Sequence, residues 1–193
     1  MLRSPRTPTT AEGRGFTMVE VVIVLALVGI MASIAAPLLS PGRWRADSGV
    51  QELMANLNAA QRLAVLRQHD VVVTFLVDER QVRLHRDTDN SGTEDIGEDV
   101  RFLQLPETVG FGHGSAPPMT AGAEAVTFEV HGDGPTLVFH RSGSASESGA
   151  AYLRPLEGSM SLDAEAVRAV TVVRSTGEVR CYSYRTGSWE TVC

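Results

Sequence analysis

The residues best placed for chemistry begin with one carboxylate. Glu20 stands inside a run, residues 16–39, in which only Thr17 and Ser33 are otherwise polar. A charge in such a setting is costly in lipid and marks a functional position by default. Its natural chemistry is to pair with a cation. The small residue Gly15 precedes the run, and a cut after it would leave Phe16 with a cationic α-amine in apolar surroundings. Glu20 of a neighbouring copy would pair with that amine, each charge relieving the other. Breaking such a buried pair costs about 3–5 kcal/mol, enough to fix the axial stagger of subunits in a filament.

A second cluster is acidic. Residues 87–98 read DTDNSGTEDIGE, which follows the twelve-residue calcium-loop spacing. Oxygen ligands would come from Asp87, Asp89, Ser91, the Thr93 carbonyl, Asp95 and Glu98, with Gly92 at the sharp turn. The flanks look like strands rather than helices, and Glu94 stands where an apolar residue is usual. A solvated acidic hairpin loop explains the same residues without an ion.

The two cysteines, Cys181 and Cys193, both fall in the last thirteen residues. In an oxidising compartment a disulfide between them would tie the chain end to the preceding strand. Closing a loop of that size is worth roughly 3 kcal/mol. A redox or metal site would need a different spacing or a nearby histidine. His69, His85, His113, His131 and His140 show no metal-ligand spacing. The serine-rich stretch 142–146 lacks the strand–turn–helix setting of a nucleophile elbow, and no phosphate-binding glycine loop is present. These observations predict a non-enzyme.

The elements that must position these groups follow from patterning. Residues 16–39, at about 1.5 Å each, make roughly 36 Å of helix, enough to span a bilayer. The preceding residues carry Arg3, Arg6 and Arg14 against Glu12, which keeps that end cytoplasmic by the positive-inside rule. The run is long for a cleaved secretory signal, and no Ala-x-Ala site follows it cleanly. An ordinary signal anchor with a chance glutamate is the alternative.

Pro41 and Gly42 loosen the chain, and Ser48 with Gln51 could form a capping box. Val50, Leu53, Met54, Leu57, Ala60, Gln61 and Ala64 then follow helical spacing, predicting an amphipathic helix over 40–68 that packs on a sheet. From residue 69 the pattern becomes β-rich. Strands are expected at 71–77, 81–85, 101–105, 125–130, 136–140, 151–153, 167–174, 178–184 and 188–192, with turns at 78–80, 175–177 and 185–187. One N-terminal helix followed by many short strands predicts an α+β fold: a long helix, half membrane-spanning and half amphipathic, packed on antiparallel sheets.

All 17 basic residues are arginine, against 23 acids. Without residues 1–15 the chain loses three Arg and one Glu, leaving a formal charge of −8. That balance disfavours general nucleic-acid binding, which rests on neutralising phosphates.

Gly-Phe-Thr-Met-Val-Glu followed by an apolar run resembles the class III signal of type IV pilins and type II secretion pseudopilins. The resemblance implies that a prepilin peptidase cuts after Gly15 and methylates Phe16. It places Glu20 at the fifth mature position, where that glutamate guides assembly, and Pro37 at the twenty-second, where a proline often loosens the helix. The later residues are similar to GspH/FimT-type pseudopilins in the 139–143 turn, the Ala151-Tyr152-Leu153 strand and the closing hairpin from Arg168 to Trp189.

This implies a pilin-like fold with a leader (1–15), an anchor (16–39), a helical continuation (40–68) and a periplasmic domain (69–193). The expected location is the inner membrane, crossed once, with the N-terminus cytoplasmic. Expected partners are other pseudopilins, the prepilin peptidase and an inner-membrane assembly platform, with calcium the one ligand to test. The expected role is a minor pseudopilin near the tip of a type II secretion filament, assisting export of folded proteins. A minor pilin in pilus assembly or DNA uptake is the alternative. FimT-like DNA receptors carry Gly-Arg-x-Arg, and the matching Gly177-Glu178-Val179-Arg180 has Glu178 in place of the first arginine. Arg168, Arg174, Arg180 and Arg185 would form either a local basic strip or an ordinary sheet surface.

Overall fold

The computed structural model describes residues 17–35, 41–120, 122–156 and 163–192. The chain divides into two compact units, Met1–Ser40 and Pro41–Cys193. In the first, helix α1 runs Met18–Ala35. The Thr17 hydroxyl accepts from the Glu20 backbone N–H at 3.3 Å. Thr17 and Glu20 thus hold the first and last positions of a T-x-x-E start, and the glutamate suits the positive end of the helix dipole. Beyond Glu20 the helix is apolar on every side, and its described large apolar side chains, from Met18 to Met31, are exposed within this chain. Phe16 and residues 36–39 of the expected span lie outside the described residues. The 18 residues of α1 rise about 27 Å, short of a hydrocarbon core of about 30 Å. Among the described residues no helix is long and apolar enough to cross a membrane.

The second unit is built on helix α2, Pro41–Arg67. It starts seven residues before the expected capping box, so Ser48 lies inside the helix rather than capping it. Proline suits a first helical position because its missing N–H would have no partner there. Gln68, at φ 60°, ends the helix in the left-handed region. The predicted stripe is the buried one: Val50, Leu53, Leu57, Ala60 and Ala64 are all buried, with Ala46 extending it toward the N-terminus.

Among the described residues, ten strands form two antiparallel sheets. The first holds β1 (Asp70–Leu76), β2 (Gln81–Asp87), β3 (Asp99–Gln104), β5 (Val130–His131) and β6 (Gly134–Phe139), in the order β3-β2-β1-β6-β5. The second holds β4 (Val109–Phe111), β7 (Gly149–Pro155), β8 (Arg168–Val172), β9 (Val179–Arg185) and β10 (Ser188–Thr191), in the order β10-β9-β8-β7-β4. α2 packs against strands of both sheets. One core joins the α2 stripe to Val71, Val73, Phe75, Leu137 and Phe139 from the first sheet and to Leu153, Val170, Val172 and Cys181 from the second. Phe75 stacks on Phe128 at 5.4 Å and meets Phe111 edge-on at 6.0 Å. The far face of the second sheet is covered around Tyr152, whose hydroxyl accepts from the Met119 backbone N–H at 2.7 Å.

The α+β class with antiparallel sheets is the one expected from the sequence. One strand expectation needs correction, and one strand lacks a counterpart in the sequence reading. Residues 125–130 do not form one strand: Val126 bridges to Ala151 in the second sheet, while Val130 begins β5 and pairs with Pro135 in the first. The segment crosses between sheets, so neither ladder can hold all of it. β4 was not anticipated, because Pro106 and Gly110 mask a three-residue strand. The β9–β10 turn uses Thr186 and Gly187, both at positive φ (48° and 85°). That pair of values is the hairpin geometry whose twist matches the flanking strands.

Candidate functional site

The acidic loop is placed by β2. His85 and Asp87 alternate onto the sheet face away from α2, and the loop folds back over them, leaving Asp87 only 2% exposed. Asp87 accepts from the backbone N–H groups of Ser91 at 3.0 Å and Gly92 at 2.7 Å. Asp89 accepts from the Ser91 N–H at 3.0 Å, and the Ser91 hydroxyl donates to Asp95 and to the Thr93 carbonyl, each at 3.2 Å. Gly92 takes the left-handed turn expected of it, at φ 77°.

Glu98 closes the loop. Its side chain, 4% exposed, accepts from His85 Nε2 and from the backbone N–H groups of Thr88 at 2.6 Å and Asp95 at 3.1 Å. The His85 bond, then the Thr88 N–H, holds its carboxyl down to about 2. Carboxylate oxygens of Asp87, Asp89 and Glu98 lie within 4.8 Å of one another. Ligands on opposite sides of a calcium ion, at about 2.4 Å each, stand about 4.8 Å apart, so this spread suits one ion. The same oxygens also take backbone N–H groups and His85, so the loop closes through its own hydrogen bonds. The part played by His85 was missed in the sequence; its signal is the two-residue alternation with Asp87 on β2.

The arginines are dispersed. Arg168 is buried at 2% exposure, so it is not part of any basic strip. It donates to the Asp47 carboxylate on α2 and to the backbone carbonyls of Glu165 at 2.8 Å and Val167 at 3.0 Å. Arg174 lies in the β8–β9 connection, and Arg185 ends β9 at the opposite turn. Seven strand residues span about 23 Å between those turns. Arg180 and Arg185 have opposite parity on β9 and point to opposite faces. Arg180 is held bidentately by Glu178, both bonds 2.8 Å, which neutralises it locally. The four arginines weighed as a basic strip or an ordinary sheet surface therefore do not share one surface.

His140 Nδ1 bonds the Asp70 carboxylate at 2.8 Å, and Asp70 also accepts from the Arg141 N–H at 2.9 Å. Burial pushes Asp70 up, but these bonds outweigh it and leave the carboxyl below its ordinary value. The nearby serines are engaged structurally. Ser146 Oγ accepts from the Val138 N–H and Ser148 Oγ from the Arg174 N–H, while the Ser142 and Ser144 hydroxyls bond each other. That is loop architecture rather than an activated nucleophile.

Gln61, the one polar member of the α2 stripe, donates to the carbonyls of Gly143 and Thr176, both at 2.8 Å. It thereby clamps a turn from each sheet to the helix. Cys181 is buried on β9, and no cysteine among the described residues is free. The Val192 N–H donates to the Cys181 carbonyl at 3.3 Å, bringing the chain end beside it. Cys193, Gly15, Phe16 and Pro37 lie outside the described residues.

Comparison with known proteins adds the following. Residues 13–36 match the model of the prokaryotic N-terminal methylation motif. Residues 49–177 match the family described as type II transport protein GspH. The pilin-like protein PilA1 of Thermus thermophilus is 35% identical over 54 residues, covering 28% of this chain and 35% of that relative. The chain thus spans about a third of the length of the curated relative it matches. Two structures of the minor pseudopilin EpsH from the type II secretion system of Vibrio cholerae are also similar. One has TM-score 0.49 and 19% identity over 72% of this chain and 97% of its own. The other has TM-score 0.47 and 18% identity over 76% and 99%. The GspH match covers more than half of the chain, and the chain belongs to that family.

Proposed function

We propose that this GspH-family chain is a minor pseudopilin of a type II secretion system, a filament subunit near the tip that assists export of folded proteins rather than an enzyme. The observation that carries the reading is one chain holding both a methylation motif at 13–36 and a GspH domain at 49–177. The first supplies processing and assembly; the second supplies the folded head. On this reading residues 1–15 are a leader removed after Gly15, and Phe16 is methylated. Residues 16–39 anchor the chain once in the inner membrane, and the domain stands in the periplasm. Its partners are the peptidase, the neighbouring pseudopilins and the assembly platform. The bare apolar surface of α1 supports this, because a helix apolar on all sides is stable only among other apolar groups.

The Cys181–Cys193 disulfide belongs to the same reading. It is supported by the buried Cys181 and by the bond from Val192 that draws the chain end alongside. Calcium binding by the acidic loop is a further part, supported by the sequence spacing and by the convergence of Asp87, Asp89 and Glu98.

The second reading, a minor pilin of a type IV pilus acting in assembly or DNA uptake, is favoured by the likeness to PilA1. The dispersed arginines weigh against its DNA-binding form. An in-frame deletion strain, scored side by side for secreted protein activity and for DNA uptake with complemented controls, separates the two. The proposal expects lost secretion and retained uptake. Lost uptake with normal secretion reverses it.

A further inference from the structure

On the α2-facing side of the first sheet, near its β3 edge, the helix leaves part of the sheet uncovered. The resulting groove has a volume of 310 Å³, with a floor of Ala59, Leu63, Leu84 and Leu103. Two arginines reach it. Arg86 on β2 is the register partner of both Val71 in the core and Asp99 on β3. Arg101 lies two residues further along β3 on the same face. Their charges are not balanced. Among the described residues Asp99 is the one acid lining the groove, and Arg101 engages it at 3.4 Å. Arg86 is left with a buried Nε that has no hydrogen-bond partner. A guanidinium with an unmet donor is unfavourable, and a carboxylate bound in the groove would give it an acceptor.

β3 also ends its sheet, so among the described residues one of its backbone edges has no strand beside it. The apolar floor, the surplus guanidinium and the unpaired edge share one location in a chain whose net charge is negative.

We propose that this groove is a docking site for an extended segment of a partner protein that presents an apolar side chain beside a carboxylate. The apolar side chain sits on Ala59, Leu63 and Leu103. The carboxylate accepts from Arg86, and the segment runs along the edge of β3. An acidic-apolar segment fits, and a basic one is repelled.

The test uses the unit from Pro41 onward, whose core is drawn entirely from its own residues. The probes are two hexapeptides, one alternating leucine with glutamate and one alternating leucine with lysine, titrated while amide NMR shifts are followed. The expected result is saturable binding of the glutamate peptide, with shifts confined to α2, β2 and β3. Arg86→Met, which keeps the apolar stem, should weaken it at least tenfold. Ala59→Phe, which fills the floor, should abolish it, and Arg180→Met should leave it unchanged. Circular dichroism and thermal melts confirm which variants are folded, and either folded groove variant suffices to decide. Equal binding of the lysine peptide, undiminished binding by a folded groove variant, or no binding to the parent domain would overturn the proposal.

Discussion

The two helices are built from similar apolar residues and end in opposite situations. α2 gathers most of its apolar side chains on one stripe and buries them against both sheets, where they hold the domain together. α1 carries them on every side, and its described large ones, from Met18 to Met31, are all exposed within this chain. A periodic stripe is a plan for packing on one's own chain, whereas an unbroken apolar surface is a plan for other molecules. Glu20 is the one charge in that second surface, and under the proposed function it is where a neighbouring subunit would bring a cation.

Removing residues 1–40 should leave the melting temperature of the remaining unit unchanged. Leu57→Ala should instead destabilise it by about 2–5 kcal/mol, through lost burial and the cavity left behind. Equal sensitivity to both changes in thermal melts would erase the contrast between the helices. Gly177→Ala tests the clamp at the tip of the second sheet. A Cβ there would lie 2.3 Å from the Gly143 carbonyl oxygen and 2.5 Å from Gln61 Nε2, on a backbone at φ 63°. The left-handed strain alone is of order 1–3 kcal/mol, read as a shifted urea midpoint.

The Glu98 carboxyl is held at about 2, below the ordinary value of 4.5. A carboxylate depressed in the folded state contributes stability above its unfolded value and loses it as pH falls toward the folded one. Stability should therefore decline between about pH 4.5 and 2, and Glu98→Gln should flatten part of that slope. An unaltered acid profile would mean that the His85–Glu98 contact is energetically idle. The smallest effect expected is from calcium. Millimolar calcium should raise the melting temperature of the domain by a few degrees, and Asp87→Asn should abolish the rise. No shift would leave the loop as a self-closed acidic hairpin.

Much of this architecture was legible because its signals are local. The α2 stripe follows the helical period, so Leu53, Leu57 and Ala60 announced their burial. The 185–187 turn announced itself through Thr186 and Gly187. What escaped depends on distant partners. Arg168 reads as one more strand arginine until Asp47 of α2 is brought to it across the fold. His85 has no ligand spacing in the sequence, and only the return of the loop carries Glu98 onto it. The 125–130 segment has strand composition, yet it spends its hydrogen bonds on two sheets. The basic-strip alternative fails for a related reason: Arg168 is buried on β8, and Arg180 and Arg185 fall on opposite faces of β9.

The central claim is that α1 exists for assembly and that Glu20 sets its register. The most direct measurement is the amount of a Glu20→Val chain recovered in cross-linked or sheared filaments, alongside its leader cleavage and the melt of its domain. The account predicts normal cleavage, an unchanged melt and loss from the filament fraction. Incorporation equal to that of the parent chain would contradict it.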